Sequence, residues 1–504
     1  MQPVEAKICA LSEDLLLQVL SKLDAPQDLA RAALACKQLN RAVHTNKVWR
    51  ELYTRHFVAP SPRADLKLGQ WANNTARCAF SPEEALFRWK WQTNERWATG
   101  ARTTLGALHG HSAWVNAVRC VPNASRVISA GQDEDIIVWG EEQASLWAGL
   151  DDDHTPRATL KGHTATVWSV DATDHLAVSG GMDTSILLWD LGGGKTAGEM
   201  HLQEEGRART VTSVQLGHGA STCLTTHAGG SIALWDLRSR ELATHLHLLA
   251  CSGGTPSADG TPVWPESKTA AYCARVHEHH VVAVGNTTDI HYFDLRMVRQ
   301  VARVVAARKS IFSMDMQWPL IATGCANGEV RVWDMQRLQL PTPVPGKSAG
   351  PAGGLLAAAN SESFPKAYAE RLANCQRCCR AHSAPEDSQI FSVRLSADGR
   401  LVSATEGGVV GVYNVADAAG AAGVTASGGN WQGFDAAGEL IGGSRRISPV
   451  QRFTPALDSD PTLCNELPYP PFMQKSGVHS VDMSDDLLVC GGRDALVRLY
   501  SFAL

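Results

Sequence analysis

Seven apolar motifs recur between residues 115 and 500, and each is followed at a nearly constant interval by an apolar run that ends in an aromatic residue. The first copy pairs Val115-Asn116-Ala117-Val118 with Ile136-Ile137-Val138-Trp139, and the fourth pairs Cys273-Ala274-Arg275-Val276 with Ile290-His291-Tyr292-Phe293. The separations from motif to aromatic residue are 24, 22, 24, 20, 22, 23 and 22 residues. Runs rich in β-branched and aromatic residues predict strands, and this regularity predicts one structural unit used seven times.

Each unit fits three antiparallel strands, with a fourth, outer strand after the aromatic residue. One four-stranded sheet cannot bury both of its faces, but seven sheets arranged radially around a channel can. The pattern resembles the WD-repeat family, whose units carry Gly-His early and Trp-Asp late, as at Trp189-Asp190. The resemblance implies an all-β, seven-bladed WD-repeat β-propeller over residues 101–504, with Ala/Gly-rich insertions at 335–388 and 416–475.

Two units carry the complete polar set that this family joins by hydrogen bonds, and the later units lose parts of it. The two sets are His111, Ser129, Asp133 and Trp139, and His163, Ser179, Asp183 and Trp189. The resemblance implies that the Asp holds the His, which reaches the Ser and then the Trp indole, so these residues are expected to be structural. The alternative is a metal or catalytic site.

The two ends of the repeat region are expected to meet. The chain stops four residues after Tyr500, too soon for the last blade to supply its own outer strand. The segment Arg102-Thr103-Thr104-Leu105 can supply it, which would remove an exposed sheet edge.

Residues 7–57 follow a helical period and predict a small all-α module. Ser12 can cap a helix whose first turn is acidic, and apolar residues follow at helical spacing. The order Leu11-x-x-Asp14-Leu15-Leu16-x-x-Val19-Leu20-x-x-Leu23, followed by Trp49-Arg50-x-Leu52, resembles the F-box, with Ser12 where the family usually has Pro. The resemblance implies docking on a Skp-type adaptor through Leu11, Leu15, Leu16, Val19, Leu20, Leu23, Leu29, Leu34, Cys36, Leu39, Trp49 and Leu52.

The alternative to adaptor docking is that this module is a helical cap, in which Leu15, Val19 and Leu23 would be buried within the chain. Residues 58–100 predict a helical linker, because Ser81-Pro82-Glu83-Glu84 combines a capping box with Pro at the first helical position.

The charge and the N-terminal sequence argue against nucleic-acid binding, membrane binding and secretion. A net charge of −5 and a pI near 6.4 give no broad footprint for nucleic acid or an anionic membrane. The N-terminus lacks the pattern of a secretory signal, so the 13 cysteines are expected to be reduced. We therefore expect a cytoplasmic or nuclear protein without cofactors.

The cluster Cys375-x-x-Cys378-Cys379-x-x-His382 has ligand types that zinc accepts, but a single cluster in a loop favours exposed thiols over a metal site.

The loops at one face of the propeller are the expected place for a protein partner. Mapped through the repeat, that face includes Trp114, Gln132, Met182, Arg308, Lys475 and Arg493, with Asp387 and Glu406 beside them. The basic residues suit an acidic or phosphorylated segment, and the alternative is a solvated loop surface.

The two resemblances together imply a non-enzymatic substrate-recognition subunit of a Skp–cullin–F-box ubiquitin ligase. The module at 7–57 would bind the Skp-type adaptor, and through it a cullin/RING complex, while the propeller binds a protein substrate. The sequence shows neither a Gly-x-Ser-x-Gly elbow nor a His-Glu-x-x-His motif. The alternative function is a WD-repeat scaffold that acts outside a cullin ligase.

Overall fold

The computed structural model of the chain describes the following residues: 12–20, 22–23, 26–56, 82–99, 103–121, 126–140, 156–204, 207–248, 255–256, 262–263, 270–285, 288–296, 298–305, 307, 309–334, 381–382, 389–414, 433–434, 440–441, 451–453 and 477–502. The chain divides into two units, Met1–Thr103 with Phe502–Leu504, and Thr104–Ser501. Within the described ranges, no helix is long and apolar enough to cross a membrane.

The first unit is helical where the sequence has helical periodicity. Its described helices are α1 Glu13–Leu20, α2 Pro26–Ala35, α3 Lys37–Val43, α4 Asn46–His56 and α5 Pro82–Thr99. One apolar core joins all five helices, and its buried side chains include Leu16, Leu20, Leu29, Leu39, Val43, Trp49, Leu52 and Phe87. Phe87 places α5 in this core, because its ring packs against Trp49 with 5.4 Å between the centroids.

Polar contacts also hold α5 against the N-terminal helices. The fully buried carboxylate of Glu84 lies 2.7 Å from Nδ1 of His44 and accepts a hydrogen bond from Arg88 at 2.9 Å. Such partners are required, because a buried carboxylate without them is strongly destabilising. Glu83 pairs with Arg50 at 2.9 Å. The helix predicted from Ser81-Pro82-Glu83-Glu84 is thus present, although Ser81 itself lies outside the described residues.

The described part of the second unit contains seven four-stranded antiparallel sheets, the blades of the propeller. Blades 1 to 3 contain β2 Val115–Val121, β3 Arg126–Gly131, β4 Ile136–Trp139 and β5 Ala158–Leu160; β6 Val167–Ala172, β7 Leu176–Gly181, β8 Ser185–Asp190 and β9 Lys195–His201; and β12 Val211–Leu216, β13 Thr222–His227, β14 Ser231–Asp236 and β15 Glu241–His247. Blades 4 and 5 contain β18 Ala271–His277, β19 His280–Gly285, β20 Asp289–Asp294 and β21 Arg299–Val305; and β22 Ile311–Gln317, β23 Leu320–Cys325, β24 Glu329–Asp334 and β25 Ala381–His382. Blades 6 and 7 contain β26 Ile390–Leu395, β27 Arg400–Thr405, β28 Val410–Asn414 and β31 Gln451–Phe453; and β32 Val478–Met483, β33 Leu487–Gly492, β34 Leu496–Ser501 and β1 Thr103–His109.

Short paired strands lie outside the blades. They are β10 Gln203–Glu204 with β11 Arg207–Ala208, β16 Thr255–Pro256 with β17 Pro262–Val263, and β29 Gly433–Phe434 with β30 Leu440–Ile441. A 3-10 turn, His218–Ala220, joins β12 to β13.

The predicted fold, a small helical module followed by a seven-bladed propeller, is confirmed. The expected closure is also present, because β1 supplies the outer strand of blade 7 and pairs with β34. Each predicted insertion begins after the third strand of a blade and contains that blade's outer strand, β25 within 335–388 and β31 within 416–475. In blade 5 the break follows β24, and in blade 6 it follows β28.

The first strand of every blade has a register shift at its second residue, so that this residue forms a β-bulge. In blade 4 the shift lies between Ala271 and Cys273. The fourth repeat therefore begins at Ala271, and its placement at Cys273 was wrong by two residues. The small Ala271 stands where the other copies have Val or Ile, which hid the motif. The corrected separation to Phe293 is 22 residues, in line with the other blades.

The apolar core of the propeller lies between adjacent blades. Ile128 and Val138 of blade 1, for example, share a cluster with Val167 and Trp189 of blade 2. At Gly180 the approach of the next blade is so close that an added Cβ would lie 2.3 Å from Cγ1 of Val211. Only glycine fits at this contact between blades 2 and 3.

A ring of polar side chains lies inside this core, at the fifth residue of every first strand. The first strands of consecutive blades contact one another around a closed circle. We call these seven residues the charge ring: Arg119, Asp171, Gln215, Arg275, Asp315, Arg394 and Asp482. Charges alternate in sign around the circle, and the neutral Gln215 stands between Asp171 and Arg275.

Ion pairs connect the members of the charge ring. Arg119 lies 2.7 Å from Asp171 and 3.5 Å from Asp482, and Arg394 lies 3.2 Å from Asp482 and 3.7 Å from Asp315. Burial alone would lower the pKa of Arg119, but the two carboxylates outweigh it and the pKa lies above its ordinary value. Arg119 is therefore charged, and its charge is balanced by two carboxylates.

The acidic members also join the blades through the backbone. The Asp171 carboxylate accepts the Leu216 N–H of blade 3 at 2.8 Å, and the Asp315 carboxylate accepts the Leu395 N–H of blade 6 at 2.8 Å. Gln215 does the same for the Val276 N–H. The ring thus satisfies backbone groups that would otherwise be buried without partners.

Candidate functional site

The helices of the first unit expose part of the predicted adaptor surface. Leu15 and Val19, four residues apart on α1 and so on one face of it, are 48% and 56% exposed, and Leu34 on α2 is 85% exposed. We call the pair Leu15 and Val19 the apolar patch. The alternative of a helical cap predicted that Leu15, Val19 and Leu23 are buried within the chain; Leu23 is partly buried, but Leu15 and Val19 are about half exposed.

The other predicted adaptor residues lie mostly in the core of the first unit. Leu16 is only 1% exposed. The further buried members are Leu20, Leu29, Leu39, Trp49 and Leu52, and the partly buried ones are Leu23 and Cys36. Leu11 lies outside the described residues. The sequence pattern did not separate these two groups, because a helix of eight residues with five apolar ones has apolar residues on more than one face.

In the second unit, the two complete polar sets come together as hydrogen-bonded chains. In blade 1, Nδ1 of His111 lies 2.8 Å from Asp133, and its Nε2 lies 2.7 Å from Oγ of Ser129. The same Oγ accepts the indole N–H of Trp139 at 2.8 Å. This polarity makes Nδ1–H the donor to the carboxylate and Nε2 the acceptor from the serine hydroxyl.

Blade 2 repeats this geometry. His163 lies 2.7 Å from both Asp183 and Ser179, and Ser179 accepts the Trp189 indole N–H at 2.8 Å. Burial holds the pKa of His163 below its ordinary value, although the Asp183 charge opposes the shift. The imidazole is therefore neutral at pH 7 and is fully used as donor and acceptor.

These chains contain the residue types of a Ser-His-Asp triad, but the geometry excludes that chemistry. A nucleophilic serine must reach a substrate carbonyl. Ser129 and Ser179 are completely buried, and each is held by a tryptophan N–H.

Blade 3 contains a variant of the polar chain that sequence reasoning missed. Gly229 occupies the Asp position, but His227 on β13 takes over as the imidazole. Its Nε2 lies 2.8 Å from Oγ1 of Thr225, which accepts the Trp235 indole N–H at 2.9 Å. The signal was local, since a Thr-x-His sequence on a second strand places both side chains on one face.

The bulge residues form the most distinctive part of the predicted partner face. They are Asn116, Trp168, Thr212, Tyr272, Phe312, Phe391 and His479, and each is at least partly exposed. Five of the seven carry rings. A β-bulge changes the direction in which its side chain points. The same bulge occurs in all seven first strands, so these side chains occupy equivalent positions around the propeller.

Four of these rings and Trp114 form a continuous series, which we call the aromatic arc. The centroid distances are 5.4 Å from Tyr272 to Phe312, 6.3 Å from Phe312 to Phe391, and 4.8 Å from Phe391 to His479. Trp114 completes the series at 5.4 Å from His479. These spacings lie within the range of favourable ring contacts. The arc runs through blades 4 to 7 and reaches blade 1.

Arg493 lies over the aromatic arc, with its charge balanced inside the chain. Its guanidinium is 4.9 Å from the Trp114 ring centroid, a cation–π distance. Its Nη2 donates to the Glu406 carboxylate at 3.1 Å, and its Nε donates to Nε2 of His479 at 3.0 Å. Burial and the Arg493 charge lower the pKa of His479 to about 4. His479 is therefore neutral at pH 7.

Only some of the residues predicted for the partner face contact one another. Trp114, Arg493 and Glu406 come together in or beside the arc. Gln132 and Met182 are exposed on the second-to-third-strand turns of blades 1 and 2. Arg308, Lys475 and Asp387 lie outside the described residues, as do Cys375, Cys378 and Cys379 and the side chain of His382.

Sequence reasoning missed Tyr272, Phe312, Phe391 and His479 as face residues. The signal was available, because an aromatic residue stands second in several of the first-strand motifs.

Comparison with known proteins identifies the two modules. Residues 10–55 match the F-box-like family model, and residues 102–140 and 154–190 match the model of the WD domain, G-beta repeat. The chain is 29% identical over 192 residues to "F-box/WD repeat-containing protein 9" of Homo sapiens, covering 37% of this chain and 39% of the relative. It is 29% identical over 172 residues to "Small ribosomal subunit protein RACK1y" of Oryza sativa subsp. japonica, covering 32% of this chain and 46% of that protein. The chain thus spans less than half the length of the curated relatives it matches.

Proposed function

We propose that this chain, which belongs by its two modules to the F-box/WD-repeat family, is the substrate-recognition subunit of a Skp–cullin–F-box ubiquitin ligase. The apolar patch carries this proposal. An F-box-like module that fills its own core and still exposes two large aliphatic side chains on one face of α1 has a surface suited to a partner. We infer that Leu15, Val19 and Leu34 contact a Skp-type adaptor, which in turn joins a cullin/RING complex.

The aromatic arc is the proposed contact surface for the protein to be ubiquitinated. Aromatic residues and arginine are enriched where protein interfaces bind most strongly. Because Arg493 is already paired with Glu406 and His479 is neutral, the described part of this face favours apolar side chains of a partner over a phosphate. Recognition of an acidic or phosphorylated segment depends on Arg308 and Lys475 and stays a prediction.

The proposed role requires no catalytic group in this chain. A receptor that holds a protein near a ubiquitin-charged enzyme raises the effective concentration of its lysines. The serines of the two hydrogen-bonded Ser-His-Asp sets are buried and not accessible to a substrate. We propose that the protein works in the cytoplasm or nucleus, where such complexes and reduced cysteines are expected.

Adaptor binding by a double variant of the apolar patch tests the proposal. We expect the full-length chain to bind a purified Skp-type adaptor, and Leu15→Asp/Val19→Asp to bind about 30-fold more weakly or not at all. Each side chain is about half exposed, so its burial in an interface is worth about 1 kcal/mol or slightly more, and tenfold in affinity corresponds to about 1.4 kcal/mol. Leu16→Asp is unsuitable, because Leu16 is buried and its charge would unfold the module.

A matched control is Leu242→Asp, since Leu242 is an exposed leucine of the propeller. It should bind the adaptor like wild type, and all variants should have the circular dichroism spectrum and melting temperature of the wild type. A well-folded wild-type chain that does not bind the adaptor would contradict the proposal. It would favour a WD-repeat scaffold outside a cullin ligase.

A further inference from the structure

The hairpin turn between β18 and β19 brings three metal-ligand types together. The turn reads His277-Glu278-His279-His280, and it is closed by the pairing of His277 with His280. Glu278 has a positive φ of 52°, which turns the chain sharply. One ligand atom from each of Glu278, His279 and His280 lies within 4.8 Å of the other two. None of these three residues is fully buried.

We propose that Glu278, His279 and His280 bind a divalent transition metal of the zinc class. Two imidazoles and one carboxylate are a ligand set that zinc accepts, with bonds of about 2.0–2.2 Å in tetrahedral geometry. Tetrahedral ligands then lie about 3.4 Å apart, so the present separations of up to 4.8 Å must shrink by up to about 1.4 Å. Side chains on an exposed turn can make this change by rotation about their χ angles. Three protein ligands leave one position for water.

The surroundings of His280 support this assignment. Its ring stacks on Trp318 at 4.5 Å and 3°, and its Nδ1 is hydrogen-bonded to the Tyr292 hydroxyl. A partner on one ring nitrogen fixes the tautomer and orientation of an imidazole, as is usual around metal-binding histidines. His277 also stacks on Trp318, at 5.8 Å. The imidazole that the site depends on is thus held in place before a metal arrives, which lowers the entropy cost of binding.

Asp294, which lies opposite His280 in the sheet, already has a partner for its carboxylate. Asp294 accepts three hydrogen bonds from the Arg296 side chain. The carboxylate of Glu278, in contrast, is 69% exposed and lies 3.9 Å from Nδ1 of His279. It can move toward a metal without breaking a strong contact.

Zinc titration of purified full-length protein, in competition with a chromophoric chelator at pH 7, tests the site. The measurement is made in a Cys375→Ser/Cys378→Ser/Cys379→Ser background, so that these thiols do not contribute. We expect Glu278→Gln/His279→Gln to lose one equivalent of zinc or to bind it at least tenfold more weakly. This variant leaves His280 on Trp318, so the blade should keep its melting temperature.

The matched control is His201→Ala. His201 and Glu199 form an exposed imidazole–carboxylate pair at 2.9 Å, which offers two ligands rather than three. Zinc binding should be unchanged in this control, and zinc should raise the melting temperature of the background protein but not of Glu278→Gln/His279→Gln. Equal zinc binding by the background protein and the turn variant would overturn the proposal. An equal loss in the His201 control would also overturn it, because the signal would then report surface histidines in general.

Discussion

Replacing Asp315 with asparagine removes one negative charge from the charge ring but keeps an oxygen that can accept the Leu395 N–H. The Asp315 carboxylate lies 3.0 Å from Nε of Arg275 and 3.7 Å from Nη1 of Arg394. The side chains of Arg275 and Asp315 are only 11% and 12% exposed. Burial would raise the pKa of Asp315, but the two arginines hold it below its ordinary value. The variant therefore isolates the effect of the charge.

The expected loss in the free energy of unfolding follows from the ion pairs that remain after the substitution. Arg394 still has Asp482 at 3.2 Å, but Arg275 loses the carboxylate with which it pairs. Removing one partner of a buried ion pair typically costs about 3–5 kcal/mol, because the other charge stays buried without compensation. For an exposed pair the cost is about 0–1 kcal/mol. Lys161 and Asp135 form such a pair, with Lys161 74% exposed, so Lys161→Met is the control.

Thermal and guanidinium unfolding of the full-length chain, followed by circular dichroism, measures the difference. We expect Asp315→Asn to lower both midpoints clearly and Lys161→Met to leave them nearly unchanged. The double variant Arg275→Met/Asp315→Asn should recover most of the loss, since it removes the uncompensated arginine charge and keeps an acceptor for the Leu395 N–H. If Asp315→Asn unfolds like Lys161→Met, or if the double variant is worse than the single one, the reasoning about the ring is refuted.

Two further predictions concern the polar chain of blade 2 and the aromatic arc. Ser179→Ala should lower the free energy of unfolding by about 2–4 kcal/mol, because His163 and Trp189 each lose a buried hydrogen-bond partner; Ser179→Thr keeps the hydroxyl, and an equal loss in both variants would contradict this. Stability should also fall as the pH drops from about 6.5 toward 4, since the His479 pKa is about 4 in the folded chain and the unfolded chain takes up the proton first. In pH-dependent melting, His479→Gln should flatten this slope, by up to about 3 kcal/mol across the window, and an unchanged slope would count against the assignment.

The architecture was readable from the sequence because the repeat signal is redundant. Seven copies of a motif average out local errors, and even the misplaced fourth copy did not change the number of blades. The complete polar sets of blades 1 and 2 were equally readable, since their residue types and spacing recur together. The substitute in blade 3 was not, because His227 lies on the second strand, whereas His111 and His163 lie in the loop before the first strand.

The division of the helical module into core and surface could not be predicted from the sequence. Leu15 and Leu16 are adjacent and chemically identical, and only the packing of α1 against the other helices makes one exposed and the other buried. The aromatic arc was hidden for a related reason. Its members are spread over more than 300 residues of sequence, and only the closed circle of blades brings Trp114 next to His479.

The charge ring has a consequence for how this propeller can be rearranged. Strict alternation of sign can close only with an even number of members, and seven blades leave one position that must be neutral, which Gln215 fills. Deleting the blade of Arg119, Asp315, Arg394 or Asp482 would make two like charges neighbours. A circular permutation that opened the chain between any two blades would preserve every neighbour. The ring thus fixes the cyclic order of the blades while leaving the position of the chain ends free.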